Sequence, residues 1–214
     1  MFIHRGLLNK DLRENHISAF KKCIEKNYNI ETDVHFSKNN VLVCFHDFHL
    51  KKLFNKKKIK DLTSQDLKKY NITKLKDLLK IIKHKTKILL EIKPSLNQKT
   101  LGKLEKVYNK YRKNILFISF IEKNLIKIKN KFKKVKLGYI FKRNSNCLDI
   151  KKKLNKKHIN FFVLPKNFEK IKKIKKVKIK KFFYTIRNIK LRNIKNNYIV
   201  ENIIQWDKLH FQIN

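Results

Sequence analysis

The stretch NIETDVHFSKNNVLVCFH (residues 29–46) decides the fold. It contains two apolar runs, NIETDVHF (29–36) and VLVCFH (41–46), with only residues 37–40 between them. A four-residue link cannot hold the crossover that joins parallel strands, so the pair reads as a hairpin or a strand with an excursion. Counted separately, the two runs make nine strands in the chain; counted as one unit, they make eight.

Seven further runs are likewise rich in β-branched and aromatic residues, namely FIHR (2–5), KILLEIK (87–93), ILFISF (115–120), KLGYIF (136–141), INFFVL (159–164), KFFYTI (181–186) and YIVENII (198–204). Between them, apolar residues recur at i, i+3 and i+4 over 14–26, 75–83, 100–111, 123–132, 148–156 and 168–176, the spacing of amphipathic helices. A thin seventh helix is expected at 188–197. Strands alternating with helices indicate βαβ units and a parallel sheet, either doubly wound or closed. Eight strand positions favour a compact (β/α)8 barrel with a small excursion after strand 2. No linker or internal repeat interrupts the pattern, so residues 1–214 read as one domain.

The chain carries 56 Lys+Arg against 16 Asp+Glu, a formal net charge of +40. Such a surplus attracts phosphates, nucleic acid and anionic membranes. Only Arg5, Arg13, Arg112, Arg143, Arg187 and Arg192 are arginines, however, and the lysines are spread along the whole chain. Nucleic-acid readers favour arginine's bidentate fork and a single basic face. Together with abundant Asn, Ile and Phe, the pattern reads as a coding bias on tolerant surface positions, with no specific nucleic-acid partner. Cys23, Cys44 and Cys147 are odd in number and lack metal-ligand spacing, which argues against a disulfide framework or zinc site. No apolar run is long enough for a membrane span, and the first residues lack a signal-peptide pattern. The expectation is a soluble, cytoplasmic protein.

Acids are scarce here, yet three sit within apolar strands. Strand alternation places Glu31, Asp33 and His35 on one face. Glu91 and Lys93 share a face near the end of their run, His46 and Asp47 end another, and His4-Arg5 ends the first. In a barrel these strand ends converge where active sites lie. Each feature has an ordinary reading too: a solvated edge for Glu31 and Asp33, an interior ion pair for Glu91–Lys93, a turn for His46-Asp47, a terminus for His4. Their joint placement favours chemistry. Three carboxylates without thiolates suit one hard divalent cation, Mg2+ or Ca2+. Two histidines, Arg5 and Lys93 around such a cation would make a site for a phosphate ester.

The ordered motifs HRG (4–6), RENHISAF (13–20), ETDVHFSKNNVLVCFHDFHL (31–50) and LLEIKP (89–94) resemble the glycerophosphodiester phosphodiesterase family, whose signature runs HRG, PENT-xx-AF, E-x-D-V-x-x-T-K-D-x-x-x-V-x-H-D-x-x-L and L-x-E-x-K. SFIEKNL (119–125) and FYTI (183–186) resemble its later S-F-x-x-x-x-L and W-T-V. The resemblance implies a TIM barrel that hydrolyses small-molecule glycerophosphodiesters to glycerol 3-phosphate and an alcohol. At the matching positions it implies Glu31, Asp33 and Glu91 as metal ligands, His4 and His46 as the acid–base pair, and Arg5 and Lys93 as phosphate contacts. A related reading has a lysophospholipid-type substrate and peripheral contact with an anionic membrane. The oligomeric state is left open.

Departures concentrate late in the chain. Arg187 stands at the family's asparagine after W-T-V, and Glu201-Asn202 replaces its Thr-Asp near strand eight. Arg13 replaces the proline of PENT, a loop change expected to matter little. Asn27 and Asn29 stand where a glycine is usual, and asparagine tolerates left-handed backbone. The resemblance places Glu14 near the site, but a first-turn acid favoured by the helix dipole is the expected role. His35 and His49 are bystanders, Trp206 and His210 close the rim, and Gly6 lets the chain turn beside the phosphate.

Overall fold

The computed structural model describes residues 1–8, 12–50, 56–82, 85–186 and 198–200. The helix expected at 188–197, Arg187, the Glu201-Asn202 pair, Trp206 and His210 lie outside the described residues. The strands are β1 (Phe2–His4), β2 (Asn29–Phe36), β3 (Leu42–Cys44), β4 (Ile88–Ile92), β5 (Ile115–Ser119), β6 (Leu137–Ile140), β7 (Phe161–Pro165), β8 (Lys180–Ile186) and β9 (Tyr198–Val200). The helices are α1 (Ile17–Glu25), α2 (Ser64–Lys69), α3 (Leu75–Ile81), α4 (Gln98–Tyr111), α5 (Glu122–Lys131), α6 (Cys147–Leu154) and α7 (Lys172–Lys175).

Among the described residues, eight of nine strands are parallel and pair in the cycle β1-β2-β4-β5-β6-β7-β8-β9, with β9 returning to β1. This is a closed (β/α)8 barrel of the TIM type. The strand that stands apart is β3, which pairs antiparallel with β2 through Val34 opposite Cys44 and Phe36 opposite Leu42. The link at 37–40 turns through Asn40 at φ 55°, and Asn40 donates its backbone N–H to the Ser37 carbonyl at 2.8 Å. The excursion is more than a hairpin. It continues through a 3-10 turn (Ile59–Asp61) and α2, and builds its own apolar cluster from Val43, Phe45, Leu50, Ile59, Leu62, Leu67 and Ile72. Sequence periodicity does not reveal α2, because six residues with one buried side chain, Leu67, are too short to show an apolar stripe.

Side-chain alternation along the strands separates two cores. Phe2, Leu89, Ile118, Ile140, Phe161, Val163, Phe182 and Ile199 fill the barrel interior. Ile30, Val34, Ile88, Leu90 and Ile92 face outward against Phe20, Leu78, Leu101, Leu104, Leu125 and Ile128 of the helices. Strands covered on both faces read as continuous apolar runs, as the fully buried ILLEI of β4 does. Gly138 of β6 sits opposite Phe161 of β7. A Cβ there would lie 2.2 Å from the Phe161 ring, so the glycine makes room for an interior phenylalanine.

Two helix boundaries differ from expectation. Helix α1 starts at Ile17, where the His16 ring Nδ1 accepts the Ser18 N–H, and Asn15 before it is left-handed at φ 56°. The helix expected over 168–176 is instead a 3-10 turn (Lys166–Lys170) followed by the short α7. Ile171 between them is extended, with φ −76° and ψ 112°, which interrupts the helix.

Candidate active site

The registers of three strands assemble the site. His4 of β1 lies opposite Glu31 of β2, and Asp33 of β2 lies opposite Glu91 of β4. Lateral neighbours in a parallel sheet point to the same side, so all four side chains enter the barrel near its C-terminal mouth. Arg5 follows β1 and Lys93 follows β4, where the Lys93 N–H donates to the Val34 carbonyl. His46 arrives from the excursion, where Phe45 donates its backbone N–H to the Asp33 carbonyl at 3.1 Å. The result is one cavity of about 190 Å3. His4, Arg5, Glu31, His46, Glu91 and Lys93 line one side, while Ile118, Phe120, Ile140, Val163, Tyr184 and Ile199 line the other.

Asp33 is fully buried and is the anchor of the charge network. Lys93 Nζ lies 3.0 Å from its Oδ1 and Arg5 Nε 3.2 Å from its Oδ2. Asn15 Nδ2 donates to Oδ2 at 3.0 Å, while Asn15 Oδ1 accepts from the Thr32 hydroxyl at 2.7 Å. Burial alone would raise the Asp33 carboxyl, but the Lys93 and Arg5 charges outweigh it and hold it well below the usual range. Glu31 goes the other way: burial and repulsion from Asp33 and Glu91 push it well above the ordinary value. Glu91, buried beside Asp33, is pushed up to about 7 although Lys93 Nζ is 2.8 Å away. The protein therefore compensates one carboxylate fully and makes the charge on the other two costly.

That imbalance suits a cation. Glu31, Asp33 and Glu91 each offer a carboxylate oxygen within 4.8 Å of the others, and all three are buried. Asp33 Oδ1 and Glu91 Oε1 face the Lys93 ammonium yet have no well-directed hydrogen bond. An all-oxygen donor set of this kind fits a hard divalent ion.

Arg5 and Lys93 keep their charge. Burial would lower each, but Asp33 with Glu14 and Glu31 around Arg5, and Asp33 with Glu91 around Lys93, raise both. Glu14 is not the first-turn acid expected. It lies ahead of α1 and its Oε2 accepts from Arg5 Nη1 at 3.0 Å, so it orients the guanidinium. Gly6 turns the chain as expected, and the crowding that a side chain would meet comes from α1. Its φ is +92°, and a Cβ would come within 2.8 Å of the Ala19 Cβ, so it allows β1 to turn closely against α1. Arg13 donates to the carbonyls of Tyr70 and Asn71, tying the α1 approach to the excursion.

His46 Nδ1 lies 2.6 Å from Asp47 Oδ1. Burial lowers the His46 pKa, although Asp33 opposes the shift. His4 Nε2 is 3.8 Å from Glu31 Oε2. Asn15 is a supporting residue that the sequence gave no role, and Asp47, expected at a strand end beside His46, is that histidine's partner. Only Asn15's tolerance of left-handed backbone, in a loop before a helix, hints at its role.

His35 lines a neighbouring cavity and is a prop for the loop that carries His46. Its Nε2 lies 3.2 Å from the His46 carbonyl, which only accepts, so the N–H sits at Nε2. Its ring meets Phe48 edge-on at 4.8 Å. Burial pushes its pKa down to about 4. Above pH 6.5 both folded and unfolded states hold it neutral. Between about 6.5 and 4 the unfolded chain takes up a proton that the folded chain refuses, so stability is lost as pH falls. The loss from this residue is on the order of 3 kcal/mol. Urea unfolding at pH 7 and pH 4.5 should show His35→Gln losing less stability on acidification than wild type by about that amount.

The sequence matches the model of the glycerophosphoryl diester phosphodiesterase family over residues 4–205. No curated protein matches it. Among solved structures, a glycerophosphodiester phosphodiesterase from Thermotoga maritima is 26% identical, with 97% of each chain covered and a TM-score of 0.77. A phosphodiesterase from Oleispira antarctica, solved with its product sn-glycerol-3-phosphate, is 20% identical over 100% of this chain and 96% of its own, with a TM-score of 0.79. A glycerophosphodiester phosphodiesterase from Parabacteroides distasonis is 19% identical over 100% of this chain and 98% of its own, at 0.74. With the family model spanning almost the whole barrel and the acidic cluster at its mouth, the chain belongs to the glycerophosphoryl diester phosphodiesterase family.

Proposed function

We propose that the chain, acting as a single domain, hydrolyses glycerophosphodiesters to sn-glycerol 3-phosphate and a free alcohol, using one divalent cation, Mg2+ or Ca2+, and two histidines. The observation that carries this reading is the convergence of His4, His46, Arg5, Lys93 and two of the three clustered carboxylates on one cavity. Glu31, Asp33 and Glu91 would hold the cation, which supplies Lewis-acid neutralisation of the phosphoryl charge. Arg5 and Lys93 hold the phosphate's non-bridging oxygens, and their carboxylate partners fix them in place before substrate arrives. One imidazole takes a proton from the attacking water while the other delivers a proton to the leaving alcohol oxygen. Asp47 occupies His46 Nδ1 and so leaves Nε2 to exchange the proton.

Among the described residues, no helix is long and apolar enough to cross a membrane. Cys23 and Cys44 are buried free thiols pushed up to about 12 by burial, which fits a reducing compartment such as the cytoplasm.

The test is release of glycerol 3-phosphate from glycerophosphocholine and glycerophosphoethanolamine, read with a coupled dehydrogenase. EDTA should abolish release, and Mg2+ or Ca2+ should restore it. If no glycerophosphodiester is cleaved with either metal in excess, the proposal fails.

A further inference from the structure

The wall of the cavity facing the carboxylates is apolar from Ile118 round to Ile199, with Arg143 at its exposed rim. Lysine supplies 50 of the 56 basic residues, so an arginine here is not the chain's default cation. Arg143 follows β6, and its Nη2 donates to the Thr185 hydroxyl of β8 at 3.2 Å. Two residues earlier, the Phe141 carbonyl accepts from the Tyr184 hydroxyl at 2.7 Å. Adjacent hydroxyls on β8 thus hold the loop after β6 over the cavity mouth.

The backbone that presents those hydroxyls is unusual. Thr185 has φ 61°, a left-handed value that a β-branched residue rarely adopts. The β8–β9 pairing also shifts register between Phe183 and Ile186. Strain of this kind persists where the surroundings over-determine it, and it concentrates around binding sites. Among the described residues no carboxylate pairs with Arg143. Arg5 and Lys93, by contrast, are engaged by Asp33, Glu14 and Glu91. The two phosphate-side cations are internally balanced, whereas among the described residues the rim arginine is held by a neutral hydroxyl.

We infer that Arg143 is a specificity-determining residue that favours glycerophosphodiesters whose alcohol carries a second anionic group. The inference rests on the phosphodiesterase reading. The scissile phosphate must lie among Arg5, Lys93, His4 and His46, and the alcohol must leave through the open mouth. A carboxylate or phosphate on that alcohol passes the rim where Arg143 presents its fork. Guanidinium binds either oxyanion through paired N–H donors, and exposure at the rim limits the gain. The expected preference is about tenfold in kcat/KM.

Two matched substrate pairs separate the sources of charge. Glycerophosphoserine differs from glycerophosphoethanolamine by one carboxylate, and glycerophosphoinositol 4-phosphate differs from glycerophosphoinositol by one phosphate. At 0.15 M salt, where the long-range field of +40 is largely screened, wild type should favour the anionic member of at least one pair by about tenfold. Arg143→Met should bring that ratio close to one, and Arg143→Lys should leave an intermediate ratio. Lys129→Met, on the exposed face of α5, should keep the wild-type ratio and so control for general charge. Equal kcat/KM within both pairs for wild type, or a preference that survives in Arg143→Met, overturns the assignment. Those outcomes leave the phosphodiesterase reading intact, whereas failure to cleave any member sinks that reading first.

Discussion

Replacing either His4 or His46 by glutamine should lower kcat by about 10²- to 10⁴-fold, the range a positioned general acid or base contributes. Both rings line the cavity and are partly exposed, at 25% for His4 and 34% for His46. Neither substitution opens a void in either core, so unfolding free energies should stay within about 1 kcal/mol of wild type. The double variant should be little worse than the weaker single one, because residues acting as a unit are not additive. Wild-type kcat/KM should follow a bell-shaped pH curve, and each variant should lose one limb of it. Burial holds His46 below its ordinary value, so the limb that disappears in His46→Gln should lie below about pH 6.5. Turnover within threefold of wild type for either single variant, in a folded protein, would remove that histidine from the chemistry.

The second large effect sets two carboxylates of one cluster against each other. Asp33 sits between Lys93 and Arg5 and accepts from Asn15, so Asp33→Asn leaves two buried cations without their shared partner. Breaking a buried pair from one side costs about 3–5 kcal/mol, a large part of a typical domain's stability. Burial and repulsion from Asp33 and Glu91 push the Glu31 carboxyl well above its ordinary value, so its charge is costly when no cation is bound. A glutamine of similar shape removes that costly charge, so Glu31→Gln should alter metal-free stability by less than about 1 kcal/mol. Urea unfolding in EDTA at pH 7 measures the difference. Added Mg2+ or Ca2+ should then raise the midpoint of wild type but not of Glu31→Gln, since ligand binding stabilises only a chain that binds it. Should Glu31→Gln prove as unstable in EDTA as Asp33→Asn, the proposed division of charge is wrong.

How much of this was legible in the chain can be traced through particular residues. The strands showed because a barrel strand is covered on both faces and becomes a continuous apolar run, as in ILLEI. Glu31, Asp33 and Glu91 showed because a carboxylate within such a run is conspicuous where acids are few. The supporting residues did not show. Glu14 looked like a helix-dipole acid, yet it holds Arg5, because α1 begins three residues later than the periodicity suggests. Asn15 looked like one loop asparagine among many, and its bridge from Thr32 to Asp33 joins positions 17 and 18 residues apart. Helix α2 was too short to carry a period, and the excursion's apolar cluster forms only once distant residues meet.

By itself the sequence determined the order of the barrel strands, the eight-unit count set by residues 29–46, and the types of group at the strand ends. Those follow from local rules, namely the alternation along a strand and the cost of burying charge. Only the tertiary structure decided which groups share charge. Register sets Asp33 beside Glu91 and His4 beside Glu31, and closure of β9 onto β1 places Arg143 across the mouth from them. Electrostatic balance depends on distance in space, and chain separation does not report it. Three similar carboxylates thus end in different protonation tendencies, and one arginine among six comes to stand at the rim.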